Sequence, residues 1–223
     1  MSFTKETLLQ NIKARTMAHI LEGVERFPKP TKIETLPHLP SDENLAIKIS
    51  QCGLCPLAQM RNHVVVSKEI VPKKYFILGD FPDSIEDKSG DVFSEKSPLA
   101  SLILNLLSKI GIKNDSYFSY AVKCFPQKAL YTDSLHICVQ NNLIEELKCV
   151  APEYIFCFGY RSLKGLYSAL QITSSLKNIN ENSLLDKIEI SGKVVQPYFL
   201  PSIKELYEFP HWRKQVWELL SSL

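Results

Sequence analysis

Along the chain the spacing of apolar positions changes several times, and each change marks an element. Residues 4–25, "TKETLLQNIKARTMAHILEGVE", set Leu8, Leu9, Ile12, Met17, Ile20, Leu21 and Val24 on one helical face. "FPKPTKIETLPHLPSDE" follows, and its prolines at 28, 30, 37 and 40 exclude regular helix and central strand. Ser41 or Asp42 suits the cap of a short helix, "ENLAIKIS". From there the pattern alternates. "KKYFILGD" reads as a strand, and "SPLASLILNLLSKIG" as a helix with Pro98 near its start and Gly111 past its end. "SYFSYAVKC" is a second strand, and "DSLHICVQNNLIEELKCV" a long helix capped by Asp133 or Ser134. "EYIFCFG" shows no alternation, as a strand buried on both faces should. "YRSLKGLYSAL" is a helix, and "KIEISGKVVQPYFLP" a hairpin turning at Ser191-Gly192 whose second arm joins the sheet. "SSLKNINENS" is a polar insertion, and "HWRKQVWELLSSL" an amphipathic closing helix.

Strands separated by helices of this length predict an α/β fold with a parallel sheet covered on both faces. Right-handed crossovers bring the loops after Gly79, Cys124, Gly159 and Leu200 to one edge. Such edges carry the sites of α/β proteins. The acids of "GDFPDSIED" (Asp80, Asp83, Glu86 and Asp87) therefore fall where chemistry is expected, although a turn or helix cap would use the same residue types. We expect residues 1–42 to form an N-terminal helix and linker, and 43–223 one domain.

Composition narrows the partners little. With 45% hydrophobic and 22% charged residues the chain is ordinary for a globular protein, and a net charge of +2 gives no global basic field. A nucleic acid would need a local basic face. No apolar run reaches the ~20 residues of a membrane span, and "MSFTKETLLQ" has no signal-type apolar core, so the expectation is a cytoplasmic protein with no membrane partner.

Six cysteines stand at 52, 55, 124, 138, 149 and 157. In a reducing compartment they are core residues, metal ligands or redox groups. Cys157 in "YIFCFG" and Cys149 near a helix end read as core. Cys52 and Cys55 of "CGLC" can point at one centre from a single turn, and Cys124 and Cys138 can complete a four-thiolate site. Spacing alone leaves structural zinc, an iron–sulfur cluster and unrelated buried cysteines open.

"QCGLCPLAQMRNHVVV", "FILGDFPDSIED", "AVKCFP", a cysteine in the next helix and "LKCVAPEYIFCFGYRS", in this order, resemble the iron–sulfur uracil-DNA glycosylases known as family 4. The resemblance runs from Cys52 to the C-terminus. It implies a three-layer α/β/α domain with a central four-stranded parallel sheet. It also implies a structural [4Fe–4S] cluster on Cys52, Cys55, Cys124 and Cys138, with zinc as the alternative. The implied activity is hydrolysis of the N-glycosidic bond of uracil or another deaminated base in DNA, by a monomer that needs no nucleotide cofactor.

That chemistry requires a flipped base, a stacking surface, a reader of its amide edge, a stabiliser of the leaving anion and a positioned water. By the resemblance Asp80 positions the water, standing where the family has glutamate, and Phe93 stacks the base. Tyr120 stands in place of the family's asparagine, Leu200 in place of its histidine, with Ser202 following, and Asp83 in place of a glycine. Arg61, Lys123 and Lys128, with the "HWRK" stretch, are the expected DNA contacts. The changed positions open a second reading: an inactive glycosylase fold that binds DNA or protein around a structural cluster.

Overall fold

The computed structural model describes residues 43–127, 132–172 and 183–221. The chain divides into two units, Met1–Leu36 and Pro37–Leu223, and every described residue belongs to the second. The expected helix at 4–25, the proline-rich linker, Lys128 and the polar insertion up to Asn182 lie outside the described residues.

The described elements are α1 (Glu43–Ser50), β1 (Tyr75–Gly79), α2 (Ser84–Ser89), α3 (Pro98–Ile110), β2 (Ser116–Tyr120) and α4 (Thr132–Cys138). A π-helical segment (Val139–Leu143) joins α4 to α5 (Ile144–Val150). Then come β3 (Tyr154–Phe158), α6 (Tyr160–Ala169), β4 (Ser183–Leu184), β5 (Ile188–Ile190), β6 (Lys193–Leu200), α7 (Ile203–Glu208) and α8 (Pro210–Ser221).

The sheet runs β2-β1-β3-β6-β4, with the first four strands parallel and β4 antiparallel to β6. β5 forms a hairpin with β6. The parallel core is as expected; the antiparallel edge strand β4 is added to it. Every residue of β1 is buried, which a strand covered on both faces requires. On one face Phe76, Leu78, Ile155 and Phe199 pack with Leu135, Val139, Leu147 and Leu163 from α4 to α6. On the other Ile77, Phe156, Phe158 and Leu200 pack with Ile103, Leu107, Leu206 and Val216 from α3, α7 and α8. The result is a three-layer α/β/α domain. The fully buried Phe76, Phe156 and Phe158 each contribute roughly 1.5–3 kcal/mol of transfer free energy. Among the described residues no helix is long and apolar enough to cross a membrane.

Gly79 lies in register with both Tyr120 and Phe158, and Phe158 with Leu200. These positions mark the carboxyl edge. The second strand was expected to run to Cys124, but its ladder ends at Tyr120. Ala121 and Val122 turn across the end of β1, donating to the carbonyls of Gly79 (2.8 Å) and Asp80 (3.1 Å). Val65 N donates to the Lys123 carbonyl at 2.8 Å. Cys124 thus projects beyond the sheet.

Candidate active site and cysteine centre

Four acids follow β1, and backbone N–H groups hold all four. Asp83 caps α2, accepting from the N–H groups of Ile85 (2.8 Å) and Glu86 (2.9 Å), and Glu86 returns a bond to Asp83 N. This is a capping box. The Ser97 hydroxyl also donates to Asp83. Asp87 is buried and accepts from the backbone and side-chain nitrogens of Asn62, tying the 61–63 segment to α2. Asp83, in the family's glycine position, therefore has a structural role.

Asp80 comes straight off Gly79. Its Oδ1 accepts from the Ser162 N–H at 2.7 Å, in the first turn of α6, and the Arg161 guanidinium stands 3.9 Å from Oδ2. A helix N-terminus favours a carboxylate. Gly159, at φ +102, makes this approach possible: a Cβ there would sit 2.5 Å from Asp80 Oδ2. The Asp80 side chain is 16% exposed. Burial pushes its carboxyl up to about 6, against the opposing pull of Ser162 N–H and Arg161. A carboxylate that titrates near neutrality at a strand end suits general-base work. Arg161 also lies over the Phe81 ring at 5.6 Å.

The expected base pocket is filled by the chain itself. Phe93 is buried with φ 47, a left-handed conformation that a bulky side chain rarely adopts. Its ring stacks on Tyr120 at 4.9 Å and 16° and tilts against Phe118. Tyr120 also covers Gly79, where a Cβ would come 2.6 Å from its ring. The Tyr120 hydroxyl donates to both carboxylate oxygens of Glu86, at 2.9 and 2.8 Å. Glu86 accepts the Ser94 N–H as well, and burial pushes its carboxyl up to about 7. Leu200 is fully buried in the same cluster; its carbonyl accepts from Gly159 N at 3.0 Å, but its side chain has no hydrogen-bonding group. Ser202 caps α7 in a second capping box, with Glu205. So Asp80, Phe93, Tyr120, Leu200 and Ser202 share the carboxyl edge, but Phe93 and Tyr120 stack on each other.

Of the expected DNA contacts, Lys123 is placed differently. Lys123 is 1% exposed; its ammonium pairs with Glu146 and donates to Ser119 and to the Tyr120 carbonyl at 2.7 Å. Tyr117 and Ser119 donate to the same Glu146. Buried and paired, Lys123 does not face DNA. The Arg61 guanidinium donates to Cys124 Sγ at 3.5 Å and to the Cys52 carbonyl. In the "HWRK" stretch Arg213 donates to the carbonyls of Leu206 and Tyr207, closing the end of α7.

Of the four cysteines singled out by spacing, Cys52 and Cys138 meet at one side chain. Asn142 Nδ2 reaches Cys138 Sγ at 3.5 Å and Cys52 Sγ at 3.9 Å, and Lys123 N donates to Cys138 Sγ at 3.4 Å. Burial pushes the Cys124 thiol up to about 12; the Cys138 and Cys55 sulfurs add to the rise and Arg61 opposes it. Burial raises the Cys138 thiol too. As the side chains stand, no three His, Cys, Asp or Glu among the described residues are grouped tightly enough to hold a metal ion. The donor set is nonetheless all thiol, and N–H groups point at three of its sulfurs, which fits a thiolate-bound iron–sulfur or zinc centre. Cys157 is fully buried core, and Cys149 packs against the core.

Sequence reading missed the parts of Arg161, Ser162 and Asn142, whereas the helix-start role expected of Glu86 is the one it has in the capping box. The spacing from Asp83 to Glu86 was a legible cap signal, and Gly159 before α6 a legible helix start.

The geometry defines an α/β/α domain with a carboxylate at the strand edge. A model of the uracil DNA glycosylase superfamily matches residues 70–221, and the chain belongs to that superfamily. The match includes Asp80, Phe93, Tyr120, Cys124, Cys138, Leu200 and Ser202, and begins after Cys52, Cys55 and Arg61.

Proposed function

We propose that this protein hydrolyses the N-glycosidic bond of uracil or another deaminated base in DNA, as a monomer of the iron–sulfur branch acting in the cytoplasm. The observation that carries the reading is Asp80: a carboxylate pushed up to about 6, fixed at the carboxyl edge by the first turn of α6. Ionised, it orients a water toward C1′ and takes its proton as the oxygen–C1′ bond forms and the C1′–N bond breaks. The electron pair leaves with the base. Arg161, half exposed and 3.9 Å from Asp80, is the cation this edge offers to the leaving base's developing negative charge. Cys52, Cys55, Cys124 and Cys138 hold a [4Fe–4S] cluster, or zinc in its place, that stiffens the segment around Arg61 and does no redox step on the base.

Tyr120 supports a second reading. Its ring covers the Phe93 face on which a flipped base would stack, and Leu200 supplies no donor to a leaving anion. The protein would then bind DNA without cutting it. Incubation with single- and double-stranded oligonucleotides carrying uracil, hypoxanthine or xanthine separates the two. The first reading expects base release, reduced roughly 10²-fold or more by Asp80→Asn. Salt-dependent DNA binding with no release from any substrate leaves the second. Restored release in the Tyr120→Asn, Leu200→His double variant would then show that these residues alone had closed the pocket.

A further inference from the structure

The helix after Cys138 is not regular. At Val139–Leu143 it widens into a π segment, and the N–H of Ile144 bonds the carbonyl of Val139, five residues back. π segments are rare, and one that persists commonly places a functional side chain. Here the segment contains Asn142, which is 4% exposed although its side chain is polar. A buried amide needs partners. The partners of its Nδ2 are two sulfurs that belong to distant parts of the chain, Cys138 at 3.5 Å and Cys52 at 3.9 Å.

Two further donors complete the surround. The Lys123 N–H points at Cys138 Sγ, and the Arg61 guanidinium at Cys124 Sγ. Arg61 also bonds the Cys52 carbonyl, so both Arg61 and Asn142 link the "CGLC" turn to the rest of the centre. Thiolates bound to a metal keep negative charge on sulfur, and N–H donors offset that charge and fix the ligand's direction.

We infer that Asn142, placed by the π segment, is a positioning residue for the cysteine centre, bridging Cys52 and Cys138 and setting how firmly the centre is held and how readily it is reduced. The inference rests on the reading that these cysteines bind an iron–sulfur or zinc centre. Arg61 performs the matching task at Cys124.

The test uses the full chain purified without oxygen, as wild type, Asn142→Asp, Asn142→Ser and Arg61→Met. Iron, zinc and sulfide content are measured, together with the rate of metal loss to a chelator and, for iron-loaded protein, the midpoint potential. Asn142→Asp keeps the shape but places a carboxylate oxygen against the sulfurs; Asn142→Ser withdraws the donor without adding charge. Both are expected to lose the centre about 10–100-fold faster than wild type. In both the potential moves to more negative values, further for Asp than for Ser. Loaded wild type with both Asn142 variants unchanged in loss rate and potential overturns the inference alone. Wild type that carries neither iron nor zinc overturns the centre, and this inference with it.

Discussion

The loop that leaves β1 and the turn that leaves β2 cross the same edge of the sheet, yet different physics holds them. After β1, Asp80, Asp83, Glu86 and Asp87 all accept backbone N–H groups, mostly at helix starts. Those N–H groups only partly offset the burial of Asp80 and Glu86, and Arg161 at 3.9 Å is a distant addition to Asp80. After β2, Lys123 enters the interior to meet Glu146, and Cys124 meets Arg61. Charge on that side is balanced by side chains. Short of proline, substitution leaves a backbone amide in place, whereas it removes a side-chain partner, so the two regions should respond to mutation very differently.

The largest effect is expected on the β2 side. Lys123→Met leaves Glu146 buried with only the hydroxyls of Tyr117 and Ser119. Breaking a buried pair from one end costs about 3–5 kcal/mol. The paired variant Lys123→Met, Glu146→Leu should recover most of it, because the stranded charge is gone. Urea unfolding of the three proteins measures this, and a single variant as stable as wild type would show that Lys123 and Glu146 are not coupled.

Asp80 gives the next effect, and its sign is opposite to that of a salt-bridged acid. Burial raises its folded pKa from 3.8 to about 6, so the folded state holds the proton more tightly than the unfolded chain. Stability contributed by the protonated form is full below pH ~4 and falls as pH rises to about 6, by about 3 kcal/mol in all. Glu86, raised to about 7 by burial, extends the decline toward neutrality. Asp80→Asn should flatten the acid part of this slope in urea unfolding between pH 4 and 7. The proposed base release, by contrast, uses the ionised carboxylate and should rise with pH through about 6. A flat stability profile in wild type would mean that Asp80 is more solvated than its 16% exposure indicates.

These two regions were unequally legible in the sequence. The order of strands and helices and the covered parallel sheet follow from spacing that survives in the fold, whereas the end of β2 at Tyr120 does not. Nor does the burial of Lys123: in "AVKC" nothing shows that the lysine turns inward, because its partner Glu146 lies a helix away. β4 is two residues long and has no period to detect. The π segment is invisible because Val139 and Leu143 keep ordinary helical spacing on either side of Asn142. Tyr120 was legible as a changed residue, but its stacking on Phe93 and its bonds to Glu86 are tertiary facts.

Gly159→Ala sharpens the β1 side. The residue sits at φ +102, and the added Cβ would meet the Asp80 carboxylate at 2.5 Å. Backbone strain alone costs of order 1–3 kcal/mol. If the clash adds to the strain, combining Gly159→Ala with Asp80→Ala should give a coupling energy of about 0.5–3 kcal/mol in a double-mutant cycle. Simple additivity would place the carboxylate away from the glycine.

The smallest effect separates a capping acid from a catalytic one within a single loop. Asp83 accepts two N–H bonds at the start of α2, and the Ser97 hydroxyl reaches it from the start of α3. Asp83→Ala removes a cap worth about 1 kcal/mol, which lowers Tm by about 2–4 °C in a domain of this size. Glu86 keeps its bonds from Ser94 and Tyr120, so the loop stays ordered. Asp83→Asn, still an acceptor, should lose less. Base release should fall no further than the altered stability explains, whereas Asp80→Asn should reduce it far out of proportion to any change in Tm. If Asp83→Ala instead stops release at unchanged Tm, the functional carboxylate of this loop is Asp83, and Asp80 only closes the first turn of α6.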